Sequence, residues 1–261
     1  MGGGDAVGGT PTQDLVDALR TAAARASAGV GHASVLYSGG LDSSLLAFLL
    51  KPHLNVTLVT VGTEGSTDVR QAASGARLLD LPWSSIRLEE VEIDKEAGAA
   101  HAEWPHLKEP QFSVAVALRL AVRSCETLDV FAGQGADELF FGYAHFRGLN
   151  PEEAIQRAQL DWQRLVTADW PMVRDAAQSL GHRLRSIYLD PGIVAAARRF
   201  PPPMGELGEP PKVWLRRAAK VAGLPSELVD RPKKAMQYGS GVERVVHRGA
   251  SALLPSGERR S

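Results

Sequence analysis

A short apolar run, Ala33–Tyr37, leads straight into Ser38-Gly39-Gly40-Leu41-Asp42-Ser43-Ser44, and from there into a helical pattern that stops before Pro52. A strand that turns on glycines into a helix sends the chain back along the sheet before the next strand begins. That unit favours parallel pairing through right-handed crossovers. The alternation continues down the chain. Val56–Val61 is rich in β-branched residues and reads as a second strand, and Asp68–Leu79 reads as a helix. Trp83–Ile93 holds a third strand, Gln111–Glu126 is a long apolar helix, and Leu128–Ala132 is a fourth strand. The expected fold is α/β, a doubly wound parallel sheet with helices on both faces.

Before the sheet, Thr10-Pro11-Thr12-Gln13 has the form of a capping box with proline at N1. Leu15, Val16, Leu19, Ala22 and Ala23 then follow at helical spacing. From Asn150 the pattern turns helical. Asn150-Pro151-Glu152-Glu153 is a second capping box, Asp169–Leu180 is closed by Gly181, and Lys212–Ala222 is closed by Gly223. Residues 1–9 and 249–261 read as loose tails. Residues 10–248 are expected to pack as one unit, an α/β core to about 148 with a helical lobe beyond it.

Charge narrows the partners. Lys+Arg number 29 against Asp+Glu 30, a net charge of −1, which gives no general pull toward nucleic acid or membrane. No apolar run reaches the about 18 residues of a membrane span. Cys125 is the single cysteine, so neither an internal disulfide nor a CxxC zinc site exists. It sits in an apolar helix and reads as an inert buried thiol, and the chain suits a reducing, cytoplasmic compartment. His101-Ala102-Glu103 with His106 has the look of a zinc-deaminase fragment but lacks the cysteine pair that such a site requires.

Three stretches carry chemistry. In Ser38–Ser43 the glycines permit a tight turn, and amide N–H groups, two hydroxyls and a helix N-terminus can face an anion. Asp42 fits beside a polyphosphate if it holds Mg²⁺. The competing reading is a glycine turn with a Ser/Asp helix cap. Ala132-Gly133-Gln134-Gly135-Ala136-Asp137-Glu138 repeats the design after the fourth strand. Ligands of open parallel sheets bind at the strands' C-terminal ends, so both turns can face one site. The third stretch is Arg231-Pro232-Lys233-Lys234, either a solvated basic face or a source of positive charge for a transition state.

Ser38–Ser43 resembles the pyrophosphate loop of the N-type ATP pyrophosphatases, and Gly133–Tyr143 (GQGADELFFGY) is similar to the turn of the asparagine synthetase family and its relative β-lactam synthetase. The resemblance extends over about 12–245. It takes in Val61-Gly62 with Gly65–Asp68, the spacing from Asp169 through Gly181 and Arg185 to Leu189-Asp190, and the segment Lys212–Gly241. It implies an adenine nucleotide alpha-hydrolase-like fold, with ATP and Mg²⁺ as cofactors. It also implies attack of a substrate carboxylate on the α-phosphorus of ATP, after which an amine displaces AMP. Ser38, Gly39, Gly40, Asp42 and Ser43 would hold pyrophosphate, and Asp42 and Asp137 the metal. Tyr37, Val61 and Gly133 would meet the adenosine. Lys233, with Asp42 and Asp137, would be catalytic.

The departures fall on the acyl side. Gln134 stands where that family has Glu, Arg183 where its GxExR stretch has Glu, Arg174 where Asn is common, and Phe141 where glycine is expected, narrowing the pocket. A neutral amide and a guanidinium cannot serve as general bases. Arg174 and Arg183 could instead bind an acidic substrate, or lie on a helix surface. Gln111-Phe112-Ser113 begins a helix expected to line the pocket. Gly2 stands where the family's glutaminase nucleophile, a cysteine, would be. Ammonia is then expected free, from a separate glutaminase or through self-association, or another amine takes its place. A tRNA-modifying pyrophosphatase and a nucleotide-binding regulatory protein are the alternatives.

Overall fold

The computed structural model describes residues 10–109, 111–202, 210–231 and 240–253, with side chains to 248 in the last segment. Helix α1 (Pro11–Ser27) starts on Thr10, whose hydroxyl accepts from Gln13 N. Strand β1 (His32–Leu36) runs into α2 (Leu41–Leu50), β2 (Asn55–Gly62) into α3 (Thr67–Leu79), and β3 (Trp83–Arg87) into α4 (Glu90–Glu103). Then come α5 (Gln111–Arg123), β4 (Asp129–Phe131) and the single turn α6 (Ala136–Leu139).

All strand pairs are parallel, in the order β3-β2-β1-β4 with a fifth strand, β5 (Arg183–Arg185), outside β4. Val35 is level with Leu58 on one side and Phe131 on the other. The helix-rich stretch beyond residue 148 therefore completes the sheet, where the sequence pattern predicts helices alone. Arg-Leu-Arg is too short to carry a period of two, and its only apolar side chain, Leu184, is the one that is buried. Helix α4 is likewise absent from the sequence reading, which places a third strand within Trp83–Ile93 and no helix after it. Its apolar residues are sparse, and a capping box at Glu89 and Glu92 starts it.

The sheet divides two cores, as alternation along a buried strand requires. Ala33, Val35, Leu58 and Phe131 point to the face covered by α1, α2 and α3, together with α9 (Pro191–Ala197) and α10 (Val213–Ala222). Leu36, Val59, Val61 and Val130 point to the face covered by α4, α5, α8 (Trp170–Ser179) and α12 (Val242–Leu253). Helix α7 (Pro151–Arg164) is continuous with α8 through a π-helical segment, Leu165–Asp169. The short α11 (Ser226–Val229) follows α10. Among the described residues no helix is long and apolar enough to cross a membrane.

Candidate active site

After β3 the chain crosses to the other side of β1 to lay down β4, so the order reverses between β1 and β4. The strand ends splay apart at such a switch point and leave a crevice. Both glycine-rich turns lie there. Gly133, after β4, packs against Asp42, so close that a Cβ on it would lie 3.2 Å from Asp42 Cβ.

The first turn presents a bare helix start. Gly40 is the N-cap of α2 and no side chain caps it. The alternative of a Ser/Asp cap is therefore not what the chain forms, and the first amides of α2 remain available to an anion. Gly39 sits at φ 73, and a Cβ there would lie 2.7 Å from the backbone of Gln71. Arg231 locks this approach. Its Nη1 donates to the carbonyls of Gly39 (3.0 Å) and Gln71 (2.7 Å), and its Nη2 to Ser74 Oγ (3.1 Å). Ser38 and Ser43 hydroxyls lie 3.5 Å apart at the mouth of the turn. Ser38, Asp42, Asp68, Lys212, Arg216 and Arg231 line a narrow cleft of about 40 Å³ beside it.

Asp42 and Asp137 come together, and between them stands a residue to which the sequence reading gives no place in the site. Lys212 Nζ is ion-paired to Asp42 and lies 2.8 Å from Asp137 Oδ1, with only 3% of its side chain exposed. Burial pulls the ammonium down, but the charges of Asp137 and Asp42 outweigh it and hold the pKa above the ordinary lysine value. Gly142 makes room, since a Cβ there would fall 1.9 Å from Asp137 Oδ1 and 2.2 Å from Lys212 Cε. Tyr188, fully buried, donates from its hydroxyl to the Asp42 carbonyl (2.9 Å) and fixes the turn from below. Arg216 donates to the carbonyls of Pro211 (2.9 Å), Val229 and Arg231 (3.0 Å), tying the closing segment to the same point.

Next to this point opens a cavity of about 920 Å³. Gln134 and Gly142 border it on the Lys212 side, Gln111 and Val114 from the start of α5, and Trp170 and Met172 from α8. Glu138 reaches into it, accepting from Tyr143 Oη at 2.6 Å. Burial, with the Asp137 charge adding to it against the Tyr143 hydrogen bond, pushes the Glu138 carboxyl up to about 7. Charges facing inward from α7 complete the wall. Asp161 accepts from Arg157 Nε (3.1 Å) and meets His145 Nε2 at 2.7 Å, and Arg164 Nε lies 3.3 Å from Asp169. Nothing local in the sequence distinguishes a charge facing a cavity from one facing water.

The other expected site residues are placed as follows. Tyr37 turns its ring into the core, its hydroxyl 3.1 Å from Ser44 Oγ, and its backbone N–H and carbonyl are taken by Val59 and Thr60. Val61 is packed in the second core, 4% exposed. Arg183 opens β5 at the N-terminal end of the strands, 2.6 Å from Asp129, away from the crevice. Arg174 is exposed on α8 and pairs with its neighbour Asp175 at 3.3 Å. Neither arginine lines the cavity. Phe141, at φ 55, stands edge-on to Phe146 and is not part of the lining, so the pocket is not narrowed there. A left-handed position favours glycine, the residue that the resemblance leads one to expect there. Cys125 is buried, and burial lifts its thiol to about 12. Lys233 and Lys234 lie outside the described residues.

The asparagine synthase family model matches residues 14–187. Over 89% of its length the chain is 28% identical to a Methanocaldococcus jannaschii protein, "Putative asparagine synthetase (glutamine-hydrolyzing) 1", of which it covers 50%. Over 79% it is 28% identical to the glutamine-hydrolyzing asparagine synthetase of Zea mays, covering 39% of that protein. The chain thus spans half or less of these curated relatives. Among solved structures, the NMN synthetase of Francisella tularensis aligns over 94% of this chain and 87% of its own, with a TM-score of 0.41 and 13% identity. The chain belongs to the asparagine synthase family.

Proposed function

We propose that this protein is an ATP-dependent amide-forming synthetase that adenylates a carboxylate, releases pyrophosphate, and passes the acyl group to ammonia or another amine. The observation that carries this reading is the meeting of Asp42 and Asp137, from two turns at the sheet's switch point, beside the uncapped start of α2 and the large cavity.

The donor set fits Mg²⁺. Two carboxylates from separate loops offer hard oxygen ligands, and Asp42 Oδ1 is buried without a hydrogen-bond partner among the described residues. Mg²⁺ is commonly held by one or two carboxylates together with substrate phosphates, whose charge it neutralises. Ser38, Gly39, Gly40 and Ser43, with the first amides of α2, would receive the pyrophosphate, and Gly133 borders the adenosine. Arg231 and Arg216 keep this loop in place. The substrate would lie in the 920 Å³ cavity with its reacting carboxylate toward Gln134. There its oxygen attacks the α-phosphorus and pyrophosphate leaves. The amine nitrogen then attacks the acyl carbon, AMP leaves, and the amine's proton passes to a carboxylate of the lining. Glu138, Asp161 and Asp169 are the acids so placed. Lys233 would add positive charge to one of these transition states. The relatives' names associate them with glutamine hydrolysis, which makes a glutaminase one source of ammonia.

Incubation with Mg-ATP, ammonium and a pool of amino and dicarboxylic acids, with separation of the nucleotides, tests this reading. AMP and pyrophosphate formed only with substrate are expected, and ADP with phosphate would refute adenylation. Asp42→Asn should abolish pyrophosphate release while the circular dichroism spectrum stays that of the wild type. Equal release by the two proteins would remove Asp42 from the site.

A further inference from the structure

The two carboxylates assigned above to Mg²⁺ already share one ammonium. Lys212 Nζ pairs with Asp42 and with Asp137, 2.8 Å from Oδ1 of the latter, and is shut away from solvent. The backbone is shaped to place it there. Lys212 stands at φ 62, ψ 38, a conformation that side-chain-bearing residues seldom adopt, and it caps α10 without using its side chain. The stem then passes Gly142, where even a methyl group would collide with it. The adjoining cleft of about 40 Å³ holds a few water molecules at most, far less than a pyrophosphate needs.

A bare divalent cation and this ammonium cannot share the carboxylates. Entry of the metal would push a buried positive charge away from its acceptors and leave it beside a doubly positive ion. An arriving polyphosphate changes the balance, because its oxygens accept from the ammonium and complete the metal's ligand set. The lysine stem is flexible and its head is a point charge, so it can pivot from carboxylate to phosphate. Resting on the reading that Asp42 and Asp137 hold Mg²⁺, we propose that Lys212 is a built-in counter-ion that excludes bare divalent metal and releases both carboxylates when a polyphosphate arrives. Metal then enters with the nucleotide and not before it.

Mn²⁺, followed by the electron paramagnetic resonance of the free ion, is the probe. Without nucleotide, the wild type should show no saturation up to the millimolar range, and tight binding of bare Mn²⁺ would overturn the proposal. Lys212→Met and Lys212→Gln should bind bare Mn²⁺ at least about tenfold tighter than the wild type. Adding Asp42→Asn to Lys212→Met should erase that gain. No gain in either variant, with thermal melts showing both folded, would overturn the proposal. Tight binding of bare Mn²⁺ by the wild type overturns the proposal even if neither variant folds. Calorimetry of Mg-ATP binding to the wild type separates the two failures. If Mg-ATP does not bind, the nucleotide reading falls and takes this proposal with it. If it binds and Mn²⁺ affinities are equal throughout, only the role of Lys212 falls.

Discussion

Buried Glu138 and half-buried Tyr143 form a hydrogen-bonded pair at the cavity, and pH acts on Glu138 in a defined direction. The Glu138 carboxyl titrates at about 7 in the folded protein, against 4.5 when unfolded. Between these values the unfolded chain gives up a proton that the folded chain keeps. Stability therefore falls as pH rises through that window, by up to about 3 kcal/mol, and the loss is complete above pH 7. Glu138→Gln keeps an acceptor for Tyr143 Oη and has no charge to bury. It should unfold at higher denaturant than the wild type above pH 7, and the difference should vanish near pH 4.5. Denaturation midpoints of both proteins across this range measure the effect. Arg174 and Arg183 pose the opposite case. Both are more than half exposed, and their partners are Asp175 and Asp129. Alanine at either position should leave KM for the carboxylate unchanged and shift stability by no more than about 1 kcal/mol. A KM increase of tenfold or more would return them to the substrate site.

Two elements are held in place by contacts that no local pattern shows. Arg231 joins the chain after α11 to the turn before α2 and to α3, through three hydrogen bonds. Loss of charged donors of this kind costs about 1.5–3 kcal/mol each where the acceptors stay buried. Arg231→Met should therefore loosen the turn and weaken Mg-ATP binding by about tenfold or more, read by calorimetry. The π-helical segment between α7 and α8 is the second case. Pro171, just inside α8, offers no N–H to the turn before it. The widened turn leaves Leu165 and Asp169 on the cavity wall, with Arg164 between Asp169 and the start of α5. Asp169 thus closes one helix and borders the cavity at once, a place that its sequence neighbours do not reveal.

On the scale of the whole molecule, the crevice is assembled from segments that lie far apart in the chain. Asp42, Asp137, Lys212 and Arg231 are brought to it from after β1, after β4, before α10 and after α11. A ligand that binds this assembly and not the unfolded chain stabilises all of it together. Mg-ATP at 100 times its Kd should add about 2.7 kcal/mol to the unfolding free energy, visible as a raised Tm. Asp42→Asn should lose most of that increment.

The alternation of buried strands and helices was enough to predict a parallel α/β sheet, because each such strand carries its own apolar run and each turn its own glycines. The glycine-rich turn after β1 and the acidic turn after β4 were legible for the same reason, since tight turns need particular residues at particular positions. Folding alone decided the rest. β5 is recognisable only against β4, since its three residues have no periodicity of their own. Tyr37 lies next to the turn in sequence, but the alternation of side chains past the end of β1 sends its ring into the core. Lys212, about 170 residues from Asp42, reaches it only because α10 packs beside α1. Sequence patterns record what a residue needs from its neighbours in the chain, and an ion pair closed by packing between helices far apart in the chain leaves no such local trace.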